Sequence, residues 1–534
     1  MPHINDLPAT VISQILYTAA ATPALTLSQW KTKLPLLAVC QAWAKLALGA
    51  VFYHIYVEVA ATSRLSLDAG SLWTSNAELF ISRGCVLNAI RLMIELSNNI
   101  TPDHLRHIVL NILKLDCVDW QNINSLSFTR SLEILNHSVE PVSQDEPVVT
   151  DIARTVQYFA QNLRNIAELN MSFQNYGTTG KYLYFTLAKF YSEQLQVLRA
   201  QSSVTLPISC IPRSIRVLEL QLDSSAVRVL PSICGETLKV LKLYQVPRNF
   251  AWHHFRYDIF VLPIAFLQLT ILDLIFESRG NVFSEDEIQN KVASGACCCD
   301  QLRFPALKQL TIVNCTPDCD LLYTDLPFRR LEKVYLFGNI DNIRHCSRLK
   351  LTWVRDLSVE IHAPEPDQTA EVYRVTNKLF SDICIGRMAS LLFNIEIDPE
   401  LIHWVNLTKL EVVTVDYTTI CKLITRLPNL AELIVHYLKF STALYDGFAF
   451  DKSLYSSANP LTAWGEKLAT LKLFEFNNDC SFEVKLDGVQ ALIRRTSALS
   501  QLFVPQAMEP YLAEFIDAQK DCYAHLANIS SSML

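Results

Sequence analysis

The stretch "LKVLKL", residues 238–243, decides how this chain folds, because the same phrase returns along most of its length. Its aliphatic fourth and sixth positions flank a lysine, the two-residue period of a strand with one buried and one solvated face. The pattern L-x-x-L-x-L, with aliphatic substitutions, appears as "IAELNM" from Ile166, "IRVLEL" from Ile215, "LTILDL" from Leu269 and "LKQLTI" from Leu307. It continues as "LEKVYL" from Leu331, "VRDLSV" from Val354, "LAELIV" from Leu430, "LATLKL" from Leu468 and "LSQLFV" from Leu499. Weaker copies begin at Ile123, Leu195 and Leu407.

Copies at 215 and 238, 307 and 331, and 331 and 354 lie 23 or 24 residues apart. A period of about 20–29 residues is that of leucine-rich repeats. One copy cannot bury its own apolar face, whereas a stack can. Helical returns are marked by Ile152, Val156, Phe159 and Leu163, and by Leu183, Leu187, Phe190 and Leu195. Elsewhere a proline precedes the strand, as in "LPISCIP", "FPAL", "LPFRRL" and "LPNL", and prevents a helix from running on. The expectation for residues 85–534 is therefore an α/β chain wound as a curved leucine-rich-repeat solenoid. An ordinary α/β sheet with leucine-rich strands can carry the same loose pattern. The recurrence of the phrase, with only 13 glycines for loops, favours the solenoid. Loop insertions are read near 138–149, 277–300, 362–371 and 441–460 from their Ser, Pro, Asp and Glu content.

At 534 residues the chain exceeds the size of a single growing core, so several domains or a repeat array is expected. Half of the residues are apolar and only 19% are charged, which places much of the chain in an interior. A formal charge of −7 gives no general attraction to phosphate backbones or anionic lipid, so neither nucleic acid nor membrane is an expected partner. The amino terminus lacks the pattern of a secretory signal, and no uninterrupted apolar run reaches about 18 residues. The 15 cysteines show no regular framework, which suits free thiols in a reducing compartment, cytoplasm or nucleus.

Ahead of the repeats, Asn5 and Asp6 can cap a helix whose first turn tolerates Pro8. Ile12, Ile15, Leu16 and Ala19 then form one apolar stripe, and a second stripe runs through Leu36, Val39, Cys40, Trp43, Leu46 and Ala47. Helices this short bury too little area to be stable alone, so their spare apolar face must meet another domain or another protein. The segments "LPATVISQIL" and "LPLLAVCQAWAKLALGAVFYHIYVEV" resemble an F-box of fungal type, matching its Leu-Pro, its aliphatic helix, its Val-Cys pair and the Trp three residues on. The later repeats resemble the irregular leucine-rich repeats that accompany many F-boxes.

The resemblance implies an all-α F-box-like module at 4–53, a connecting segment at 54–84 and the repeats beyond. It also implies a Skp-type adaptor as partner and, through it, a cullin-RING ubiquitin ligase. Leu7, Pro8, Ile12, Ile15, Leu16, Leu36, Val39, Cys40 and Trp43 are the adaptor-binding candidates. The alternative is that residues 4–53 only cap the repeats, leaving a leucine-rich protein-binding scaffold with no link to ubiquitination.

No catalytic, metal or cofactor site is expected. Cys297, Cys298 and Cys299 are adjacent and lack the two-residue gap that lets thiolates share a zinc, and Cys315 and Cys319 flank a strand end. His104 and His107, like His253 and His254, have no carboxylate or cysteine at ligand spacing. Neither a nucleophile elbow nor a glycine-rich phosphate loop occurs. What remains is the solvated parity of the strands, where Lys242, Tyr335, Phe337, Phe474 and Phe503 are candidates for holding a target protein.

Overall fold

The computed structural model describes residues 54–59, 73–75, 89–96, 113–114, 118–130, 146–172, 178–200, 211–221, 230, 232–246, 266–276, 304–315, 331–346, 349, 354, 356–361, 369–380, 385–390, 404, 407–440, 467–477, 480–496, 498–518 and 528–531. The chain divides into two compact units, Met1–Val246 with Ile264–Leu269 and Pro247–Pro263 with Thr270–Leu534.

In the first unit the strands are β1 (His54–Val59), β2 (Trp73–Ser75), β3 (Arg91–Leu96), β4 (Ser125–Arg130), β5 (Glu168–Ser172), β6 (Val197–Ala200), β7 (Val217–Leu220) and β8 (Val240–Val246). β2 lies antiparallel on β1, β1 lies parallel to β3, and from β3 onward each strand pairs in parallel with the next. Helices α1 (Glu146–Asn162) and α2 (Thr178–Phe190) occupy two of the crossings.

The second unit contains β9 (Ile271–Phe276), β10 (Gln309–Val313), β11 (Lys333–Gly338), β12 (Asp356–Ile361), β13 (Ile385–Ser390), β14 (Leu407–Asp416), β15 (Glu432–Lys439), β16 (Thr470–Phe476), β17 (Gln501–Val504) and β18 (Asn528–Ser531). These ten strands pair in chain order, all parallel. The helices are α3 (Ile340–Cys346), α4 (Thr369–Phe380), α5 (Tyr417–Arg426), α6 (Phe482–Arg495) and α7 (Glu509–Ala518).

This corrects the expected architecture of an all-α module followed by a curved leucine-rich-repeat solenoid. Among the described residues the chain is an α/β arrangement of parallel strands with few helices, and its first described elements are the strands β1 and β2, inside the stretch read as a connecting segment. The physical reason lies in what the phrase encodes. It specifies a strand and the parity that is buried, and any parallel sheet with one apolar face meets that demand. Nothing in it dictates the route of the chain between strands. Residues 4–53 lie outside the described residues, as do the insertions 277–300 and 441–460. The read insertions at 138–149 and 362–371 run into the first turns of α1 and α4.

Every copy of the phrase falls on a strand, and in all but the copy at 407 the strand starts at its third position. The first, fourth and sixth positions are buried in every copy, for instance Leu238, Leu241 and Leu243, or Leu468, Leu471 and Leu473. Each leucine, isoleucine or valine among them contributes about 2 kcal/mol when removed from water. The second position sets the register. Its carbonyl accepts two N–H groups from the next strand: Ala167 O from Gln196 and Val197 (2.8 and 3.0 Å), Arg216 O from Lys239 and Val240 (2.8 and 3.0 Å), Ala431 O from Ala469 and Thr470 (2.9 and 3.0 Å). With both lone pairs used, a one-residue slip would break two bonds and turn the leucines outward.

The helices pack as their stripes dictate, with one exception. Val156, Phe159 and Leu163 are buried, and the Phe159 ring meets Phe128 of β4 edge-on at 6.2 Å. In α2, Leu183 and Leu187 are buried but Phe190 is exposed. Tyr191 takes the inward place, its hydroxyl donating to Leu163 O at 2.9 Å. In α6 a glycine stands mid-helix because a Cβ at Gly488 would lie 2.5 Å from Phe440 Cε1. Tyr417, stacked on Phe440 at 5.3 Å, donates its hydroxyl to Gly488 O at 3.0 Å, so the close approach compensates the poor helix propensity.

Candidate functional site

The polar parity of the strands brings the fifth positions of successive copies side by side. In the first unit Ser127, Asn170, Arg199, Glu219 and Lys242 are register neighbours in turn. Arg199 Nη1 donates to Glu168 Oε1 at 2.6 Å and its Nε to Glu219 Oε1 at 3.1 Å. Lys242 Nζ lies 3.7 Å from the same Glu219 oxygen, and Arg91 Nη2 lies 3.8 Å from Glu168 Oε2. Asn170 Nδ2 donates to both Glu168 and Ser127. Burial raises the Glu168 carboxyl, but the Asn170 hydrogen bond, the charges of Arg91 and Arg199 and a bond from Ser125 outweigh it, holding the group below the usual carboxylate range. Glu168 is therefore ionised at neutral pH.

The second unit has a different face. Glu432 of β15 lies between Lys409 Nζ at 3.3 Å and Lys472 Nζ at 2.8 Å. Burial opposes ionisation here too, and the Lys472 hydrogen bond and the two ammonium charges overcome it, so Glu432 is also held low. Lys472 sits over the Phe503 ring, 5.4 Å from its centroid. Beside them His436 Nε2 lies 2.9 Å from Glu411 Oε1, and its ring stacks on Phe474 at 5.1 Å. Phe503 and Phe474 thus each lie against a polar group of the neighbouring strand.

Lys242, Tyr335, Phe337, Phe474 and Phe503 all stand half-buried on the polar parity of their strands. Phe474 and Phe503 belong to the aromatic and charged group on β14–β17, while Tyr335 and Phe337 lie on β11 of the same unit. Lys242 is part of the first unit's ladder. Glu168, Arg199, Glu219, Lys409, Glu411, Glu432, His436 and Lys472 were missed by a reading that sought single exposed aromatics. The available signal was alternation of charge at one phrase position in consecutive copies, Arg199 then Glu219 then Lys242.

The adaptor-binding candidates Leu7, Pro8, Ile12, Ile15, Leu16, Leu36, Val39, Cys40 and Trp43 lie outside the described residues, as do Cys297, Cys298, Cys299 and Cys319. Cys315 is buried, its carbonyl accepting from Asn342 Nδ2 at 2.8 Å. Burial pushes the Cys234 thiol up to about 12, so it stays protonated at neutral pH. Among the described residues no three His, Cys, Asp or Glu side chains converge to hold a metal ion. No described helix is long and apolar enough to cross a membrane. No family model matches the chain, and no curated protein matches it by sequence.

Proposed function

We propose that this chain is the target-recruiting subunit of a Skp-cullin-F-box-type ubiquitin ligase, acting in the cytoplasm or nucleus, with residues 4–53 docking on the Skp-type adaptor and the polar face of the strands holding the target. The observation that carries the protein-binding half is that each unit has its own set of half-buried, mutually positioned side chains on the polar parity of its strands, Arg199 and Lys242 with their acids in the first and Lys472 with Phe503 in the second. Side chains already fixed in place lose little further freedom when a partner arrives. The ligase half is supported by the F-box-like residues Leu7, Pro8, Val39, Cys40 and Trp43. In this reading the chain performs no chemistry and works by raising the target's effective concentration near the ubiquitin-loaded enzyme.

The test is a pull-down of the purified full-length chain against a Skp-type adaptor, beside a Leu7→Asp/Pro8→Ala variant whose circular dichroism matches the parent. Binding by the parent and loss in the variant is the expected result. A well-folded parent that fails to bind overturns the ligase assignment and leaves a protein-binding scaffold.

A further inference from the structure

On the polar face of the first unit, the carboxylates and the cations are not equally deep. The side chains of Glu219 and Glu168 are 9% and 17% exposed, whereas those of Arg91, Arg199 and Lys242 are 42%, 36% and 32% exposed. Two acids form a lower layer that orients three cations above it. Arg199 uses Nε and Nη1 on these acids, and its Nη2 group makes no bond among the described residues. Among the described residues the more exposed layer of this ladder is therefore cationic, although the chain as a whole carries −7. At physiological salt the screening length is about 8 Å, so this local arrangement outweighs the distant net charge.

We infer that the ridge formed by Arg91, Arg199 and Lys242 on β3, β6 and β8 is a docking site for an extended, glutamate- or aspartate-bearing peptide segment of a partner protein. The charge is complementary, and Arg199 offers a planar guanidinium edge suited to a carboxylate. The span also fits. From β3 to β8 are five parallel strand spacings. At about 4.8 Å each they cover about 24 Å, the length of about seven extended residues. The inference deepens the protein-binding half of the proposed function and is independent of the adaptor.

The experiment is fluorescence anisotropy with the full-length chain and a labelled peptide of about eight residues alternating glutamate and serine. Controls are the same peptide with glutamine, and with lysine, in place of glutamate. The glutamate peptide alone is expected to bind, with affinity falling as salt is raised. In an Arg91→Gln/Lys242→Gln variant, binding should weaken about tenfold or more. That variant keeps the pairs from Arg199 to Glu168 and Glu219, so the lower layer retains its partner and the fold its stability. Equal binding of the glutamate and glutamine peptides, preference for the lysine peptide, no binding of the glutamate peptide, or an unchanged variant each overturns the inference. Since adaptor capture runs through residues 4–53, its success or failure is read separately.

Discussion

The two units carry the same buried ladder and different polar faces. In the first, Glu219 and Glu168 lie deeper than Arg91, Arg199 and Lys242, and the more exposed of these described groups are the cations. The second has its acid and ammonium groups at similar depth, Glu432 at 27% beside Lys409 and Lys472 at 32% and 28%, with Phe503 against Lys472 and Phe474 stacked on His436. The apolar parity is the constant and the solvated parity the variable. A single strand phrase can thus present a charged surface in one place and an aromatic one in another without altering its core.

The largest expected effect tests the constant. Leu241→Ala in the first unit and Leu471→Ala in the second, both fully buried at the fourth phrase position, should each cost about 3 kcal/mol in urea unfolding. A difference between them of more than about 2 kcal/mol would show that the two cores are not equivalent. The next effect should separate the units. Glu219→Gln leaves Arg199 and Lys242 short of a deeply placed acid and should cost about 2 kcal/mol, whereas Glu432→Gln on the more exposed triad should cost less than about 1 kcal/mol. Equal losses would remove the distinction in depth.

The smallest and most gradual effect is that of acid. Glu168 and Glu432 are both held below the usual carboxylate range in the folded chain. A depressed carboxyl adds stability that is complete above its unfolded value, about 4.3, and is lost as pH falls through the lower folded value. Melting temperatures recorded from pH 7 downward should therefore hold level until about pH 4.5 and decline below it. Glu168→Gln should flatten that decline. A parent whose melting temperature rose on acidification would contradict the ion-pair geometry of both faces.

Strands were legible wherever leucines stood at the right spacing. Each copy of L-x-x-L-x-L marks one, because the fourth and sixth positions must point the same way for the sheet to bury them. β13, "IGRMAS", carries no such alternation, and β2 is only three residues long, so neither could be read. The helices of α1 were legible from Val156 and Phe159, yet the stripe of α2 misplaced its last member, since Tyr191 satisfies its hydroxyl inside and Phe190 has no such anchor. The route between strands was not legible, because crossings of unequal length contribute no repeating residue. Of the polar face, Lys242, Tyr335, Phe337, Phe474 and Phe503 were placed on the correct parity. Their acidic and cationic neighbours were not, because an ion pair between Arg199 and Glu168 joins residues from different copies and different phrase positions.

The antiparallel strand β2 has a consequence for solubility. A parallel sheet ends in a row of unpaired N–H and C=O groups that another molecule can copy, and "HIYVEV" of β1 is rich in the residue types that stack into fibrils. Trp73, Thr74 and Ser75 pair with Val59, Glu58 and Val57, so three residues deny the second half of that edge to a neighbouring molecule. Excising them would remove the pairing that the described residues give to this half of β1, and aggregation through it would be visible as turbidity or thioflavin fluorescence.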